Sequence, residues 1–258
     1  TVANFINRNK GLRFLVIPHF CVGYQDKTPE GICGWRIYPF CIKQLLESFM
    51  SHPIKFYRYP LSGHAHRVEL MLSLLNLPFE TVFVDLAAGA HKQPAFLALN
   101  SFGQVPVIED RGVVLSDSNA ILVYLASQYD PTDRWLPCDA AGAARVQRWL
   151  SVAAGELAAG PARARLITLF GAPYDAQSTI TAAHDLLRQL ETTLTVSSYL
   201  AGEQVTIADI ALYSYVAHAP EGNVSLTNYP RVQAWLAQIE GLPGFVPMAR
   251  SAVGLQSA

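Results

Sequence analysis

The stretch NSFGQVPV at residues 100–107, followed by DSNAI at residues 117–121, decides the fold. The first segment indicates a turn that leads into a short strand, and Pro106 would remove a ladder hydrogen bond from a central strand. A cis bond between Val105 and Pro106 would instead present the backbone N–H and C=O of Val105 to a ligand. The sequence therefore predicts a turn at this position that binds an extended peptide.

The second segment begins an apolar-periodic run with an acid and a hydroxyl, Asp117 and Ser118. This pattern predicts a helix N-terminus, where free backbone N–H groups favour an anion. Together the two segments describe a site for a ligand with a peptide backbone and a carboxylate. A helix-capping pair is the plainer interpretation of Asp117 and Ser118, and both roles can hold at once.

Four blocks of the chain together resemble cytosolic glutathione S-transferases, in particular the bacterial serine-type members. Besides the two segments above, the blocks are YPLSGHAHRV at 59–68, which is similar to the loop that carries the catalytic hydroxyl, and HKQPAFL at 91–97. The resemblance runs from about Met50 to about Met248. It implies an α/β thioredoxin-like N-terminal domain and an all-α C-terminal domain, with glutathione bound in the cleft between them.

From Lys55 onward the hydrophobic pattern alternates between strand and helix, and after a proline-containing linker it is helical only. The pattern alone predicts a mixed sheet with helices, and the resemblance specifies it as thioredoxin-like. We expect residues 50–130 to form the glutathione-binding domain, 131–137 the linker and 138–258 the helical domain. The predicted strands are 55–59, 79–84, 105–109 and 113–115, and the predicted helices are 64–75, 92–99, 118–129, 140–167 with a bend near Gly160, 175–194 and 229–239.

Residues 1–49 differ from the rest of the chain in composition. They contain one Ala and six Lys or Arg against three Asp or Glu, whereas the remainder is Ala-rich and acidic on balance. They also lack sustained periodicity. We interpret Met50 as the natural start and residues 1–49 as an extension outside the fold, either not native or disordered. A targeting peptide is the rival interpretation, but the apolar run at residues 14–17 is short for one.

The overall composition excludes several classes of function. The net charge is −1 and no basic patch points to nucleic acid, while no apolar run reaches the ~18 residues that cross a bilayer. The four cysteines show no CxxC spacing, which favours a reducing compartment and a cytoplasmic protein. His64 and His66 lack a third ligand, so we expect no metal.

Glutathione chemistry requires a thiolate, and a free thiol with a pKa of about 8.5 is only a few per cent ionised at pH 7. A helix N-terminus and one hydroxyl hydrogen bond can lower that pKa, because both stabilise the anion. Ser62 lies just ahead of the first predicted helix, and the resemblance implies that it is the catalytic hydroxyl. Its plainer interpretation is an N-cap or turn serine. His64 is a further candidate donor to the sulfur.

The resemblance also implies how the two ends of glutathione are held. Lys92 and Gln104 would bind the glycine end, with His91 as a weaker candidate for the same role, although Lys92 can also be an ordinary solvated lysine. Val105 would bind the cysteinyl part through its backbone, next to Pro106.

At the other end of the tripeptide, the γ-glutamyl group, the resemblance implies two contacts. Asp117 would face the ammonium, and the hydroxyl and N–H of Ser118 would face the carboxylate. The Asp117–Ser118 pair would then cap the helix and also bind glutathione.

The helical part is less specific about function. Thr206 and Asp209 have the spacing of a capping box. Phe170 and Tyr174 are candidates for an apolar wall around the second substrate, but a core position is the plainer interpretation. We expect Tyr215 to belong to the core.

The leading hypothesis is a homodimeric glutathione transferase that adds the glutathione thiolate to small electrophiles. Peroxide reduction is an open additional activity, and no cofactor other than glutathione as co-substrate is implied. A thiol–disulfide exchange enzyme would need a cysteine near position 62, where this chain has Ser. The remaining alternative is a non-catalytic binding module with the same fold, which would not need an intact peptide-binding set.

Overall fold

The computed structural model describes residues 53–256 and, before them, the backbone of four short strands. The chain divides into two compact units, Thr1–Pro53 and Ile54–Ala258. In the first unit the strands form an antiparallel sheet, which differs from the expected lack of regular structure because their Val, Ile and Phe residues favour strands. Met50 and the side chains of Cys21, Cys33 and Cys41 lie outside the described residues. The strands are β1 (Ala3–Asn7), β2 (Leu12–Ile17), β3 (Phe20–Gln25) and β4 (Trp35–Arg36).

The second unit contains a mixed four-stranded sheet in the order β6-β5-β7-β8. Strands β5 and β6 are parallel and the other neighbours are antiparallel, as a thioredoxin-like sheet requires. The β7–β8 turn forms a hairpin: Arg111 and Gly112 both have positive φ, which matches the twist of the flanking strands. The strands are β5 (Ile54–Arg58), β6 (Phe79–Phe83), β7 (Val107–Asp110) and β8 (Val113–Ser116).

Two full helices, α1 and α3, accompany this sheet, with a short irregular segment between them. The predicted helix at 92–99 is wrong in extent: a 3₁₀ turn at Ala90–Lys92 is followed by a separate short helix α2. Gln93 is extended between them because a residue that precedes a proline avoids the helical region. The helices are α1 (Gly63–Leu74), α2 (Pro94–Leu97) and α3 (Ser118–Tyr129).

The rest of the unit is helical, as expected. The single helix predicted at 140–167 is instead interrupted: α4 ends before Gly155, and a π-helical turn at Ala158–Ala162 contains Pro161. Proline lacks the N–H that a continuous helix needs, so the bend becomes a break. Within residues 53–256, no helix is both long and apolar enough to cross a membrane. The helices are α4 (Ala140–Ala154), α5 (Arg163–Phe170), α6 (Ala176–Thr193), α7 (Ile207–Ala217) and α8 (Pro230–Glu240).

Helix α7 is the centre of the helical part, and its residues Ile207–Val216 are all buried. The predicted capping box is confirmed. The Thr206 side chain accepts a hydrogen bond from the backbone of the first turn of α7, and the Asp209 side chain accepts one from the backbone N–H of Thr206. Asp209 also accepts hydrogen bonds from Leu200 N and Trp235 Nε1, each at 2.9 Å. The box therefore starts the helix and ties it to two neighbouring segments.

Candidate active site

The turn ahead of β7 has the predicted geometry at Val105 and Pro106. The Val105–Pro106 peptide bond is cis, which confirms the prediction. The strand begins only at Val107, so Val105 lies outside the sheet ladder. Its backbone makes no hydrogen bond to any of the described residues. Val105 therefore presents a free N–H and C=O beside a largely buried side chain.

Asn100 holds the shape of this turn. Its Nδ2 donates to the carbonyl of Gln104 at 2.8 Å, and its Oδ1 accepts from Phe102 N at 3.1 Å. Gly103 has φ +59°, and a Cβ there would lie 2.7 Å from the carbonyl oxygen of His91. Only glycine avoids both the left-handed strain and this close approach.

Lys92 reaches the same turn from the 3₁₀ segment. Its ammonium donates to the carbonyls of Phe102 and Gly103, at 3.2 Å each. An ammonium has three N–H donors, so one remains for a ligand. The neighbouring His91 is half-buried, and its Nδ1 has no partner among residues 53–256.

Asp117 is the N-cap of α3. Its side chain accepts from the backbone N–H groups of Asn119 and Ala120, at 2.9 Å each. Its φ of +71° is rare for a residue with a Cβ and costs on the order of 1–3 kcal/mol. The surrounding structure maintains this backbone, and strained residues of this kind cluster at ligand sites.

Arg67 lies beneath that cap, at a position of the first helix where the resemblance implies a basic residue with a structural or rim role. The residue is 1 % exposed, and its Nη1 donates to Ser118 Oγ at 3.1 Å and to Asn119 Oδ1 at 3.3 Å. Burial lowers the pKa of Arg67 to about 10. It forms no ion pair with a described carboxylate, and its Nε and Nη2 lack partners there. A buried cation without a direct ion pair therefore lies next to the N-terminus of α3, where the nearby charge of Asp117 favours it.

His64 is neutral because of these surroundings. Burial, and then the charge of Arg67, lower its pKa to about 3. Its Nδ1 lies 3.1 Å from Arg67 Nη1, which can only donate, so the ring proton is assigned to Nε2. The described residues contain no group of three His, Cys, Asp or Glu side chains that could bind a metal ion.

Ser62 is the N-cap of α1. Its Oγ accepts a hydrogen bond from Ala65 N at 3.2 Å, so the capping interpretation is confirmed. The cap uses the oxygen as an acceptor and leaves the hydroxyl proton free. Capping and donation to a sulfur anion are therefore compatible at this residue.

All the residues predicted to bind or activate glutathione line one cavity of about 760 Å³, within the usual size of a ligand pocket. The N-terminal half supplies what we call the polar wall, because it combines hydroxyl, carboxylate, ammonium and imidazole groups with free backbone. The polar wall consists of Ser62, His64, His91, Lys92, Gln104, Val105, Pro106, Asp117 and Ser118.

The opposite side, which we call the helical wall, comes from the C-terminal half. It consists of Ala158, Ala162, Arg165, Leu166, Phe170 and Tyr215.

The expectation that Phe170 and Tyr174 belong to the core is wrong. Phe170 is 51 % exposed and lines the cavity, whereas Tyr174 lies outside it beneath the Arg163 guanidinium. Phe170 is the last residue of α5, and Tyr174 lies in the segment that follows it.

Tyr215 is buried as expected, but it also reaches the cavity. A Cβ on Gly63 would lie 2.7 Å from the tip of its ring, so the ring packs directly on the first turn of α1. Its ring also meets that of His64 edge-on, with 5.1 Å between the centroids.

Comparison with known proteins agrees with this geometry. The model of the glutathione S-transferase N-terminal domain matches residues 52–127, and that of the C-terminal domain matches residues 169–243. Glutathione S-transferase 3 of Zea mays is 37 % identical over 203 residues, which cover 75 % of this chain and 91 % of the relative. The chain belongs to the glutathione S-transferase family. It is an enzyme of this family, with glutathione as its co-substrate.

Other relatives and solved structures support the assignment. Glutathione S-transferase theta-2 of Homo sapiens is 32 % identical over 178 residues, or 66 % of this chain and 73 % of the relative. The crystal structure of a Pseudomonas fluorescens glutathione S-transferase has a TM-score of 0.72 at 35 % identity and covers 76 % of this chain and 99 % of its own. A glutathione transferase homologue of Drosophila mojavensis with bound glutathione has a TM-score of 0.69 at 29 % identity, covering 74 % and 89 %.

Proposed function

We propose that this transferase is of the serine type, with Ser62 stabilising the glutathione thiolate for attack on small electrophiles. The observation that carries the proposal is the position of Ser62. Its oxygen caps α1, its proton is free, and it lines the same cavity as the unpaired backbone of Val105. A sulfur there would meet a hydroxyl donor and a helix N-terminus together.

The polar wall supports one orientation of the tripeptide. The free N–H and C=O of Val105 would pair with the backbone of the cysteinyl residue, as a strand edge pairs with a peptide. Asp117 would bind the γ-glutamyl ammonium and Ser118 the carboxylate beside it. The buried positive charge of Arg67 stabilises a carboxylate that binds at Ser118, relative to the same carboxylate in bulk water.

The opposite end of the ligand would lie against the turn that precedes β7. Lys92 has one unused N–H donor, Gln104 has an exposed amide, and His91 is half-buried beside them. These groups suit the glycine carboxylate. His64 lines the cavity between the two ends and has its proton on Nε2, so it is a second candidate donor to the sulfur.

The magnitudes are sufficient for catalysis. A hydrogen bond to a charged group contributes about 1.5–3 kcal/mol, and a helix N-terminus about 0.3–1 kcal/mol. One pKa unit corresponds to about 1.4 kcal/mol, so the two effects together lower the thiol pKa by roughly one to three units. A thiol of pKa about 8.5 would then have a pKa of about 5.5–7.5, so the ionised fraction at pH 7 would rise from a few per cent to about a quarter or more.

The helical wall suits a small apolar second substrate. Ala158 and Ala162 leave space, while Leu166 and Phe170 offer partly exposed apolar surface. A non-catalytic module is disfavoured because it would need neither the free hydroxyl proton of Ser62 nor a second wall.

We further propose detoxification of small electrophiles in the cytoplasm as the role.

A homodimer is also proposed. Phe102 is 77 % exposed, and Val113 and Val114 on the edge strand β8 are each 42 % exposed, so the N-terminal half presents apolar surface that a second copy can cover. Light scattering is expected to give twice the chain mass at micromolar concentration. A monomer under those conditions would contradict this part.

The division of the chain remains part of the proposal. Residues 50–130 form the glutathione-binding domain, 131–137 the linker and 138–258 the helical domain, and residues 1–49 take no part in the site.

Two assays on the full chain test the proposed function. We expect retention on immobilised glutathione and conjugation of a chlorodinitrobenzene at a rate that saturates with glutathione. Retention without a rate above the uncatalysed reaction would support the binding module instead, and failure of both assays would contradict the proposal. The same preparation, assayed with an organic hydroperoxide, tests peroxide reduction.

A further inference from the structure

A buried ion pair joins Arg165 of the helical wall to Glu221, at a run of sequence that the proposed function does not use. Glu221 lies in the 3₁₀ turn Ala219–Gly222 that follows α7, and its side chain is 2 % exposed. One carboxylate oxygen accepts from Arg165 Nε at 2.5 Å. The other accepts from Ser251 N at 3.0 Å and lies 2.7 Å from His218 Nδ1. Every oxygen of this buried carboxylate therefore has a partner.

Arg165 extends this network across to the N-terminal half. Its side chain is 3 % exposed, and its Nη1 donates to the carbonyl of Leu61 at 2.6 Å. Leu61 directly precedes Ser62 in the loop between β5 and α1. The guanidinium thus holds Glu221 with one nitrogen and the Ser62 loop with another, a fork geometry that a lysine cannot reproduce.

Close backbone packing fixes the position of Glu221 relative to α5. A Cβ on Gly222 would lie 2.7 Å from Ala164 C and from Arg165 N, so the 3₁₀ turn lies directly against the helix that carries the arginine. Thr168 Oγ1 also donates to the Glu221 carbonyl at 2.6 Å. The backbone segments that carry Arg165 and Glu221 are therefore held against each other, independently of the contact between Arg165 and Leu61.

Stability alone does not account for such a pair. A buried ion pair is often no more stabilising than apolar residues of similar volume, because desolvation of both charges opposes their attraction. This pair additionally directs a hydrogen-bond donor at the residue before Ser62. The local bond from Ser62 N to the Tyr59 carbonyl, at 3.0 Å, shapes the loop but does not attach it to the helical half.

We propose that Arg165, held by Glu221, is a positioning residue that fixes the Leu61 carbonyl and thereby the direction of the Ser62 hydroxyl. The inference rests on the proposed function, since it assumes that Ser62 acts on the glutathione sulfur. Arg165 does not act on the reacting atoms in this account. It restrains the loop that carries Ser62 by attaching that loop to α5 and to the 3₁₀ turn.

The decisive variant is Arg165→Lys. It keeps a buried positive charge beside Glu221, so the protein is expected to fold, but the ammonium cannot reach Glu221 and Leu61 in the same geometry. Arg163→Lys is the matched control, because Arg163 lies on the same helix and contacts the Tyr174 ring instead of the loop. Ser62→Ala provides the reference for complete loss of the hydroxyl.

Two measurements separate positioning from a structural role: the pKa of the bound glutathione thiol, from thiolate absorbance against pH, and kcat for conjugation. We expect Arg165→Lys to raise the thiol pKa and to lower kcat roughly ten- to a hundredfold, the size of effect that a misplaced group has. The KM for glutathione should change by less than about fivefold. Arg163→Lys should match wild type.

The outcomes are distinct. If wild type neither binds nor conjugates glutathione, the proposed function fails and the inference fails with it. If wild type is active and Ser62→Ala raises the thiol pKa, but folded Arg165→Lys retains the wild-type pKa and kcat, the inference alone is overturned. Should Arg165→Lys be insoluble, Glu221→Gln decides in the same assay, because the neutral amide keeps the space filled while removing the charge that attracts the guanidinium. An unchanged thiol pKa there also overturns the inference.

Discussion

The polar wall and the helical wall of the cavity differ in how the sequence builds them. Each part of the polar wall lies on a local motif: a cap, a turn or a helix start within a few residues. The helical wall is assembled from the adjoining π-helical turn and α5 and from α7, which lies much farther along the chain. Local motifs determine which groups bind the ligand, and tertiary packing determines which surface lies across the cavity from those groups.

The largest effect on stability is expected in the helical half. Asp209→Ala removes the acceptor for three buried donors, at Leu200, Thr206 and Trp235. Each orphaned buried donor costs about 1–3 kcal/mol, so we expect a loss of at least about 3 kcal/mol in the free energy of unfolding. Urea denaturation measures this. A loss no larger than that of Asp117→Ala would contradict the view that stability is concentrated in the helical half.

The polar wall should respond in affinity instead. Asp117→Ala removes the carboxylate proposed for the ammonium of glutathione, and a charge-assisted hydrogen bond is worth about 1.5–3 kcal/mol. Calorimetry is therefore expected to show a Kd roughly ten- to a hundredfold higher. Asp117→Asn is the matched control, because Asn tolerates the positive φ and keeps an oxygen for the cap. If Asp117→Asn binds as tightly as wild type, the charge is not what binds the ligand.

Acid should weaken the junction of the two halves through His66. Its Nδ1 lies 2.9 Å from Ser214 Oγ and its Nε2 lies 2.9 Å from the Val246 carbonyl, and burial is the main reason that its pKa falls to about 4. An unfolded histidine binds its proton near pH 6.5 and the folded one does not, so folding stability falls as the pH drops from 6.5 to 4, by up to about 1.4 kcal/mol per unit. His66→Gln should show a shallower decline in urea denaturation. Equal slopes would exclude His66 as a cause.

The smallest effect is expected at the open end of the helical wall. Phe170→Ala removes a ring that is already half-exposed, so a bound apolar substrate gains about 1 kcal/mol or less from it. We expect the KM for an aryl electrophile to rise about two- to fivefold, with the KM for glutathione unchanged. Tyr174→Ala, which lies outside the cavity, is the control. If the KM for glutathione changes more than the KM for the electrophile, the two walls do not bind the two substrates independently.

The sequence predicted the order of the main elements, because caps, glycine turns and a proline-containing strand start are local signals. The residues of the polar wall were implied by the family resemblance, and all of them line the cavity. The family assignment is likewise confirmed. Boundaries failed where a proline acted locally: Pro94 separates the 3₁₀ turn from α2, and Pro161 lies within the break that interrupts the predicted helix at 140–167.

The roles that the sequence did not reveal are those that depend on burial. For Arg67 the sequence indicated a structural or rim position on the first helix, but neither its complete burial nor its contact with Ser118. Arg165 gave no signal, since an arginine near the end of the predicted helix at 140–167 is ordinarily solvated. Its contacts with Leu61 and Glu221 span more than fifty residues each and arise only when the chain is folded.

The central claim is that the Ser62 hydroxyl stabilises the glutathione thiolate, and the ionisation of bound glutathione in Ser62→Ala tests it most directly. Thiolate absorbance titrated against pH is expected to show a thiol pKa higher by about one to two units, with kcat down roughly ten- to a hundredfold. Glutathione affinity should stay within several-fold, because the polar wall otherwise remains intact, and Ser62→Thr should retain most of the wild-type ionisation. An unshifted thiol pKa with full activity in Ser62→Ala would contradict the account.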